Sequence, residues 1–272
     1  MTKSIVFTLF LVFSADLSFA WGPEGHRIVA AVAQDHLTET AKRNIQALLG
    51  DKSLASVATW ADDIRAERPE TANWHVVDIP KSAGTFLESR DCFHPLDPSP
   101  GSKTDHQNCV VDRIDLFKQV LRDRSAARQE RTEALMYVIH FVAEVHEPYH
   151  ALGDGDSATQ IHVIEFGNAK CGLSPCSLHQ TWDAGMITHT GLSEANYVKR
   201  LDKLIADQHL SASGTAADWA NESHHYAQLA WLDSGGSVDE TYYERWVNVM
   251  DQRLALAGVR LAAILDEAFG SR

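Results

Sequence analysis

The sequence lacks an excess of positive charge, has few cysteines and, after its first residues, has no long hydrophobic run. Its formal net charge is −13 at pH 7. A protein that coats duplex DNA through its phosphates is usually basic, so this charge argues against that class. No later stretch is apolar for long enough to cross a bilayer, which argues against a stable membrane anchor. Because there is also no repeat, low-complexity tract or obvious linker, we expect a single domain.

The start of the chain differs from the rest. A lysine precedes the apolar run 5–13, and the small residues needed for cleavage end at Ala20. This pattern is typical of a secretory signal peptide, and it favours that reading over a buried N-terminal helix. We expect residues 1–20 to be removed and the domain to span residues 21–272. The mature protein, with Trp21 first, is expected to be secreted or periplasmic.

The four cysteines are Cys92, Cys109, Cys171 and Cys176. An oxidising compartment permits disulfides, and four cysteines allow three pairings. We predict the local pairing, Cys92 with Cys109 and Cys171 with Cys176, which closes two loops. The alternatives are free thiols, which export disfavours, and a zinc knot, which the spacings do not suggest.

Apolar residues recur at helical spacing nearly throughout the chain. Thr38 is predicted to cap a helix that Gly50 ends. Residues 161–166 alternate like a strand, and a glycine-asparagine pair follows them, which predicts a hairpin. We therefore predict an all-α fold, a single mostly helical domain with a small β-hairpin. The predicted helices span residues 25–37, 39–49, 57–65, 111–122, 130–145, 177–187, 195–209, 216–232 and 240–269.

Residues 139–150 read IHFVAEVHEPYH and place three histidines and two glutamates within twelve residues. The last five residues spell HExxH, the zinc-binding motif of a protease, which needs a continuous helix. Pro148 interrupts such a helix, and it also moves Glu147 away from helical geometry. We therefore predict that the helix ends near Val145 or His146, which makes a zinc protease a remote alternative.

A different set of metal ligands fits this stretch better. His140 and Glu144 are four residues apart on the preceding helix and therefore share a face. His150 follows the helix end and can turn back toward that face. Buried histidines bonded to carbonyls would explain one such residue but hardly a cluster. His179 and Asp183 form a second pair four residues apart, which taken alone fits a surface hydrogen bond equally well.

Two further groups have suitable donors. Asp62, Arg65 and His75 lie near tryptophans in the sequence. At the mature N-terminus, the amino nitrogen and carbonyl oxygen of Trp21 would form a five-membered chelate ring on a metal ion. His26 would complete that site. All the candidate donors are nitrogen or oxygen atoms, which suits zinc.

These residues fall within five short motifs, which read WGxxGH, WAD with an arginine three residues on, WHxxDIP, HFVxExHxPxH and LHxxWD. In this order they resemble the zinc-dependent single-strand-specific nucleases, also called type I nucleases or 3′-nucleotidase/nucleases, of the phospholipase C/nuclease superfamily. The resemblance is specific from Trp21 to Asp183 and continues more weakly through the last helix.

The resemblance implies a mostly helical domain that holds three zinc ions in a cleft. It assigns Asp62, His75, His140 and Glu144 to the first ion, His150, His179 and Asp183 to the second, and the amino and carbonyl groups of Trp21, His26 and Glu144 to the third.

The resemblance also implies hydrolysis of single-stranded DNA and RNA to 5′-phosphate products, together with a 3′-nucleotidase activity. Asp62 and Arg65 are the implied catalytic residues, and Arg65, Val76 and Asp78 are the implied substrate-binding residues. The expected partners are single-stranded nucleic acids or nucleotides, and we expect a monomer. The alternative is a zinc-dependent phospholipase C, which shares the metal architecture and the N-terminal tryptophan.

Three positions depart from the family pattern. Glu144 stands where aspartate is usual, and Val76 stands where an aromatic residue often stacks on the base. Residues 155–159 replace a glycine-glycine-asparagine that helps to form the base pocket. Because stacking contributes about 1–3 kcal/mol per base, we expect base recognition to be altered while the metal chemistry is retained.

Overall fold

The computed structural model describes residues 21–92, 108–153, 176–232 and 236–270. In these ranges the chain is helical and contains no strand, so the predicted all-α fold is confirmed there. The predicted signal peptide at 1–20, the hairpin at 161–166 and the replaced segment at 155–159 lie outside the described residues. The α-helices are α1 Pro23–His36, α2 Glu39–Leu49, α3 Leu54–Val57, α4 Trp60–Asp63, α5 Glu88–Asp91, α6 Val110–Arg122, α7 Arg128–Glu144, α8 Leu178–Gln180, α9 Met186–His189, α10 Glu194–Gln208, α11 Ala216–Ala230 and α12 Glu240–Phe269.

Local capping explains why some bounds match the prediction. The Thr38 hydroxyl accepts the N–H of Ala41 at the start of α2. Gly50 ends this helix with a φ of 68°, which glycine adopts without a steric penalty. The Asp239 carboxylate similarly accepts the N–H of Tyr242 at the start of α12. Both helices therefore have the predicted bounds.

Two predicted helices are divided. The helix predicted at 57–65 is wrong as a single element, because α3 ends at Val57 and α4 begins at Trp60. Between them the carbonyl of Ala58 is hydrogen-bonded to the His140 ring rather than to a continuing helix. The helix predicted at 177–187 contains a π-helical turn at Thr181–Gly185. Such turns often occur at functional sites.

The long helix α12 is central to the core. It packs against α1, α2, α6, α7 and α10, and most extensively against α1. At Gly258 the two helices meet closely, since an added Cβ would lie 2.4 Å from Cγ1 of Val32. The second half of α7, from Ala134 onward, is buried except for Met136. This burial places the polar residues near the end of α7 in the interior.

Cys92 and Cys109 form a disulfide, as predicted. Cys176 is also disulfide-bonded, and its predicted partner Cys171 lies outside the described residues. Within the described ranges, the chain has no helix that is both long enough and apolar enough to cross a membrane.

Candidate metal centre

The helix α7 ends within residues 139–150, so the histidines of this stretch lie in two parts of the interior. The helix ends at Glu144, and a 3-10 helix begins at Pro148. Glu147, directly before the proline, has an extended backbone, as expected for that position. His146 and His150 therefore do not share one helical face. This geometry agrees with the sequence argument against a protease helix.

His146 is held in a network away from the other histidines. Its Nε2 lies 2.8 Å from Nη1 of Arg260, and its Nδ1 lies 2.7 Å from the carbonyl oxygen of Val142. Because arginine only donates, Nε2 accepts and Nδ1 carries the proton. Burial, with Arg253 and Arg260 nearby, holds the pKa of His146 well below its usual value. The neutral ring thus uses both nitrogens in hydrogen bonds.

The same network fixes the turn after α7. Arg253 donates to the backbone oxygen of His146, and the Ser223 hydroxyl donates to the backbone oxygen of Val145. Glu222 pairs with the guanidinium groups of Arg253 and Arg260. Side chains from α11 and α12 therefore hold the turn that separates the two histidine groups. The sequence reasoning did not find this network.

A first cluster of possible metal ligands joins α4, the end of the 3-10 helix Pro69–His75, and α7. The cluster consists of Asp62, His75, His140 and Glu144, all buried. Oδ1 of Asp62 lies 3.6 Å from Nδ1 of His75 and 3.7 Å from Nε2 of His140. The His140 Nδ1 donates to the carbonyl of Ala58 over 2.7 Å, so Nε2 is the ring nitrogen that faces the cluster.

A second cluster lies beyond the turn and consists of Glu147, His150, His179 and Asp183. Oδ1 of Asp183 lies 3.6 Å from Nε2 of His150 and 3.4 Å from Nε2 of His179. The π-helical turn carries Asp183, and His179 lies on α8 just before it. In the described structure both Asp183 oxygens and the His179 Nε2 are buried without a hydrogen-bond partner.

The residues predicted for a third ion lie beside the first cluster. The rings of His26 and His140 stack with centroids 3.8 Å apart. Neither buried ring nitrogen of His26 has a hydrogen-bond partner among the described residues, and Nε2 lies 3.8 Å from Oε2 of Glu144. Trp21 is fully buried, and the next amide, that of Gly22, donates to the Asp183 carbonyl over 2.6 Å. The structure thus places His26 against the first cluster and the amide that follows Trp21 against Asp183 of the second cluster.

The donor separations fit divalent ions. Two donors on one tetrahedral zinc ion lie about 3.4 Å apart, given Zn–N and Zn–O distances of roughly 2.0–2.2 Å. In the second cluster, the separations between imidazole and carboxylate atoms are 3.4–4.0 Å, longer than ordinary hydrogen bonds. Five side-chain polar atoms of the residues in this cluster are buried without hydrogen-bond partners among the described residues. An ion between the donors would satisfy these groups.

The pKa shifts of the cluster residues also favour a bound cation. Burial raises the pKa of Glu147 to about 7 and holds the pKa of Asp183 well above its usual range. Burial lowers the pKa of His179 to about 3. Burial would also lower the pKa of His140, but the adjacent carboxylates of Asp62 and Glu144 raise it to about 9. A bound divalent cation stabilises ionised carboxylates and neutral imidazoles at the same time. It would therefore hold all of these side chains in the protonation state that binds a metal ion.

The predicted substrate-binding residues lie in two places, one beside the first cluster and one on the segment that follows His75. Arg65 lies next to the first cluster, with Nη1 3.4 Å from Oδ1 of Asp62 and a partly exposed side chain. Val76 and Asp78 follow His75, and there the Val76 carbonyl accepts the N–H of Val110 and the backbone N–H of Asp78 donates to the Asp91 carbonyl. Arg65 therefore combines access to solvent with contact to a candidate ligand.

Glu147 was not predicted from the sequence as a ligand. Its Oε2 lies 3.7 Å from Nε2 of His150 and 4.0 Å from Nε2 of His179. The sequence feature that could have identified Glu147 is its position three residues before His150, because a 3-10 turn brings residues three apart to the same side of the turn. The sequence interpretation had assigned this glutamate only to the protease motif.

The described chain is a helical domain with two adjoining clusters of histidines and carboxylates, each of which could hold a metal ion. Residues 21–270 match the sequence model of the family described as S1/P1 Nuclease. Endonuclease 2 of Arabidopsis thaliana is 28% identical, over 98% of this chain and 96% of its own length. Nuclease P1 of Penicillium citrinum is 27% identical, over 92% and 98%. Nuclease S1 of Aspergillus oryzae is 29% identical, over 93% and 93%.

The chain therefore belongs to the S1/P1 nuclease family and is a nuclease, a phosphodiesterase. This confirms the family and the enzyme class that the five motifs predicted. The family match also favours the nuclease hypothesis over the phospholipase C alternative.

Proposed function

We propose that the protein uses three zinc ions to hydrolyse single-stranded DNA and RNA to 5′-phosphate products, and that it also acts as a 3′-nucleotidase. We further propose that it is exported as a monomer that begins at Trp21. The observation that carries the proposal is the central position of Glu144. Its Oε1 lies 2.6 Å from Nδ1 of His75 and 2.9 Å from Nε2 of His140, while its Oε2 lies 3.1 Å from Nδ1 of His150.

Glu144 is therefore the residue shared among the proposed ligand groups. Its Oε2 also faces His26, the histidine of the third group. Burial would raise the pKa of Glu144, but His140 and His150 hold it well below its usual value, so the carboxylate is ionised at neutral pH. The extra methylene relative to aspartate gives this carboxylate the reach to contact histidines of all three groups.

The proposed zinc ligands are Asp62, His75, His140 and Glu144 for the first ion, His150, His179 and Asp183 for the second, and Trp21, His26 and Glu144 for the third.

Bound zinc would supply a water of lowered pKa and positive charge to balance the charge that develops on the phosphate. The side chains of the chain orient the reactants. Asp62 links the histidines of the first cluster to Arg65, since its Oδ1 lies 3.6 Å from His75, 3.7 Å from His140 and 3.4 Å from the guanidinium. Arg65 is thus placed to bind a phosphate held at the cluster, through two parallel hydrogen bonds.

We expect Arg65→Ala to lower kcat/KM on single-stranded DNA about 10²-fold, since it removes a charged donor to the phosphate. Arg65→Lys keeps the charge but not the forked geometry, and it should lose about 10-fold. Steady-state kinetics and zinc analysis of both variants provide the check, with zinc content unchanged. Arg68→Ala is the control, because Arg68 pairs with Glu133 on α7. Full activity of Arg65→Ala would remove Arg65 from the mechanism.

The substrate proposal is tested by offering the zinc-loaded protein three substrates at equal phosphate concentration: a single-stranded oligonucleotide, the same sequence as a duplex, and phosphatidylcholine vesicles. We expect cleavage of the single strand, far slower cleavage of the duplex and no lipid hydrolysis. Mass spectrometry of the products should show 5′-phosphate ends. Lipid cleavage without nucleic acid cleavage would establish the phospholipase alternative instead.

A further inference from the structure

The geometry points to Glu147 as a fourth protein ligand of the second cluster, which makes that cluster a closed site of two histidines and two carboxylates. The inference rests on the proposed function, which places an ion among His150, His179 and Asp183. It adds a residue to that site and changes how firmly the site should hold its ion.

Glu147 is fully buried, and its carboxylate faces the same space as the other three side chains. Its Oε2 lies 3.7 Å from Nε2 of His150 and 4.0 Å from Nε2 of His179. These are the same two nitrogens that face Asp183, at 3.6 Å and 3.4 Å. The two carboxylates therefore both face one pair of imidazole nitrogens, as ligands of one ion would.

A structural role of Glu147 accounts for only one of its two carboxylate oxygens. Oε2 of Glu147 accepts the backbone N–H of His150 over 2.7 Å and so caps the 3-10 helix Pro148–Ala151. Oε1 is buried without a hydrogen-bond partner among the described residues. The arginines bonded to the neighbouring His146, Arg253 and Arg260, pair with Glu222 instead. A buried carboxylate oxygen without a partner is costly, and a cation in the second cluster would remove that cost.

The number of protein ligands distinguishes an open zinc site from a closed one. Zinc sites with three protein ligands keep a position open for water or substrate, whereas four protein ligands are typical of closed, structural sites. Two carboxylates also balance the charge of one divalent ion, while a single carboxylate leaves a net positive charge. We therefore infer that Glu147 makes the second site retain zinc more tightly than a three-ligand site would.

The test is Glu147→Gln. Glutamine has nearly the same size and keeps a side-chain oxygen that can accept the His150 N–H, but it lacks the negative charge. The matched control is Glu133→Gln, the same change on α7 at a residue that pairs with Arg68. Each protein is loaded with zinc, and zinc per chain is measured after equilibration with a graded series of chelator concentrations.

We expect the unmodified protein and Glu133→Gln to release their ions at the same chelator concentrations. Glu147→Gln should release one ion at an affinity lower by about 100-fold, because even changes to groups behind a ligand cost roughly 10–100-fold. Release of every ion at unchanged affinity would overturn the inference while leaving the proposed function intact. Absence of zinc binding by the unmodified protein would instead overturn the proposed function.

Two measurements keep the result interpretable. In excess chelator, Glu147→Gln should unfold at the same temperature as the unmodified protein or higher, because it removes a buried unpaired charge. If Glu147 were only a structural cap, glutamine would preserve the cap, and the zinc-loaded variant would unfold at the same temperature as the zinc-loaded unmodified protein. If the variant fails to fold, the zinc-loaded unmodified protein is crystallised. A Glu147 oxygen at about 2.0–2.2 Å from the second ion supports the inference, and one beyond about 3 Å overturns it.

Discussion

Replacing Glu144 with glutamine is expected to lower kcat/KM on single-stranded DNA by about 10³-fold or more and to reduce the zinc content. Glutamine is isosteric but neutral, so it removes the only carboxylate whose contacts among the described residues reach histidines of all three ligand groups. Without this charge, His75, His140 and His150 lose the carboxylate that they share.

The measurements are zinc per chain by elemental analysis and initial rates on a single-stranded oligonucleotide. Glu144→Asp is the informative control, because aspartate is the residue usually found at this position in the resembling family. It keeps the charge and should retain most of the zinc, with an intermediate rate that reflects the shorter reach. Near-normal activity and zinc content in Glu144→Gln would contradict the proposed role of Glu144.

A protein that carries one alanine ahead of Trp21 is expected to lose one zinc ion and about 10³-fold in activity relative to a protein that begins at Trp21. The extra residue converts the amino nitrogen into an amide, which cannot donate a lone pair to a metal ion. Trp21 is fully buried, and the Gly22 amide is anchored to the Asp183 carbonyl, so the tryptophan backbone has little freedom to move away from the centre.

The comparison needs two proteins that differ only at this end, with mass spectrometry to establish the first residue of each. A third protein with the same alanine added after Arg272 controls for the change in length and should retain full activity. Three zinc ions and an unchanged rate in the N-terminally extended protein would exclude the proposed chelate. That result would leave the first two clusters unaffected.

Local signals account for the parts of the fold that the sequence predicted best. The helices α2 and α12 have the predicted bounds because Thr38, Gly50 and Asp239 act within one turn of the helix ends. The predicted helix at 57–65 is divided because the Ala58 carbonyl is bonded to His140, which is 82 residues away in the chain. A tertiary bond of this kind leaves no trace in local hydrophobic spacing.

Local sequence signals likewise identified some residues of the candidate site and missed others. Spacing four apart on helices identified the His140–Glu144 and His179–Asp183 pairs. Donor types near tryptophans and at the predicted mature N-terminus identified Asp62, His75, Trp21 and His26, which the resemblance then assigned to ions. Glu147 was missed because its contribution depends on a 3-10 turn, which brings residues three apart together just after the long helix ends. The buried partners of His146 were missed because Arg253 and Arg260 lie more than 100 residues later.

The close packing of α1 against α12 at Gly258 has a consequence for the order of assembly. The proposed third metal group is at the very start of α1, whereas the helix that packs most extensively against α1 is the last to be synthesised. Until residues 240–269 have been made, α1 lacks that partner and Trp21 and His26 cannot be held beside Glu144. We therefore expect a chain truncated before residue 240 to lack nuclease activity.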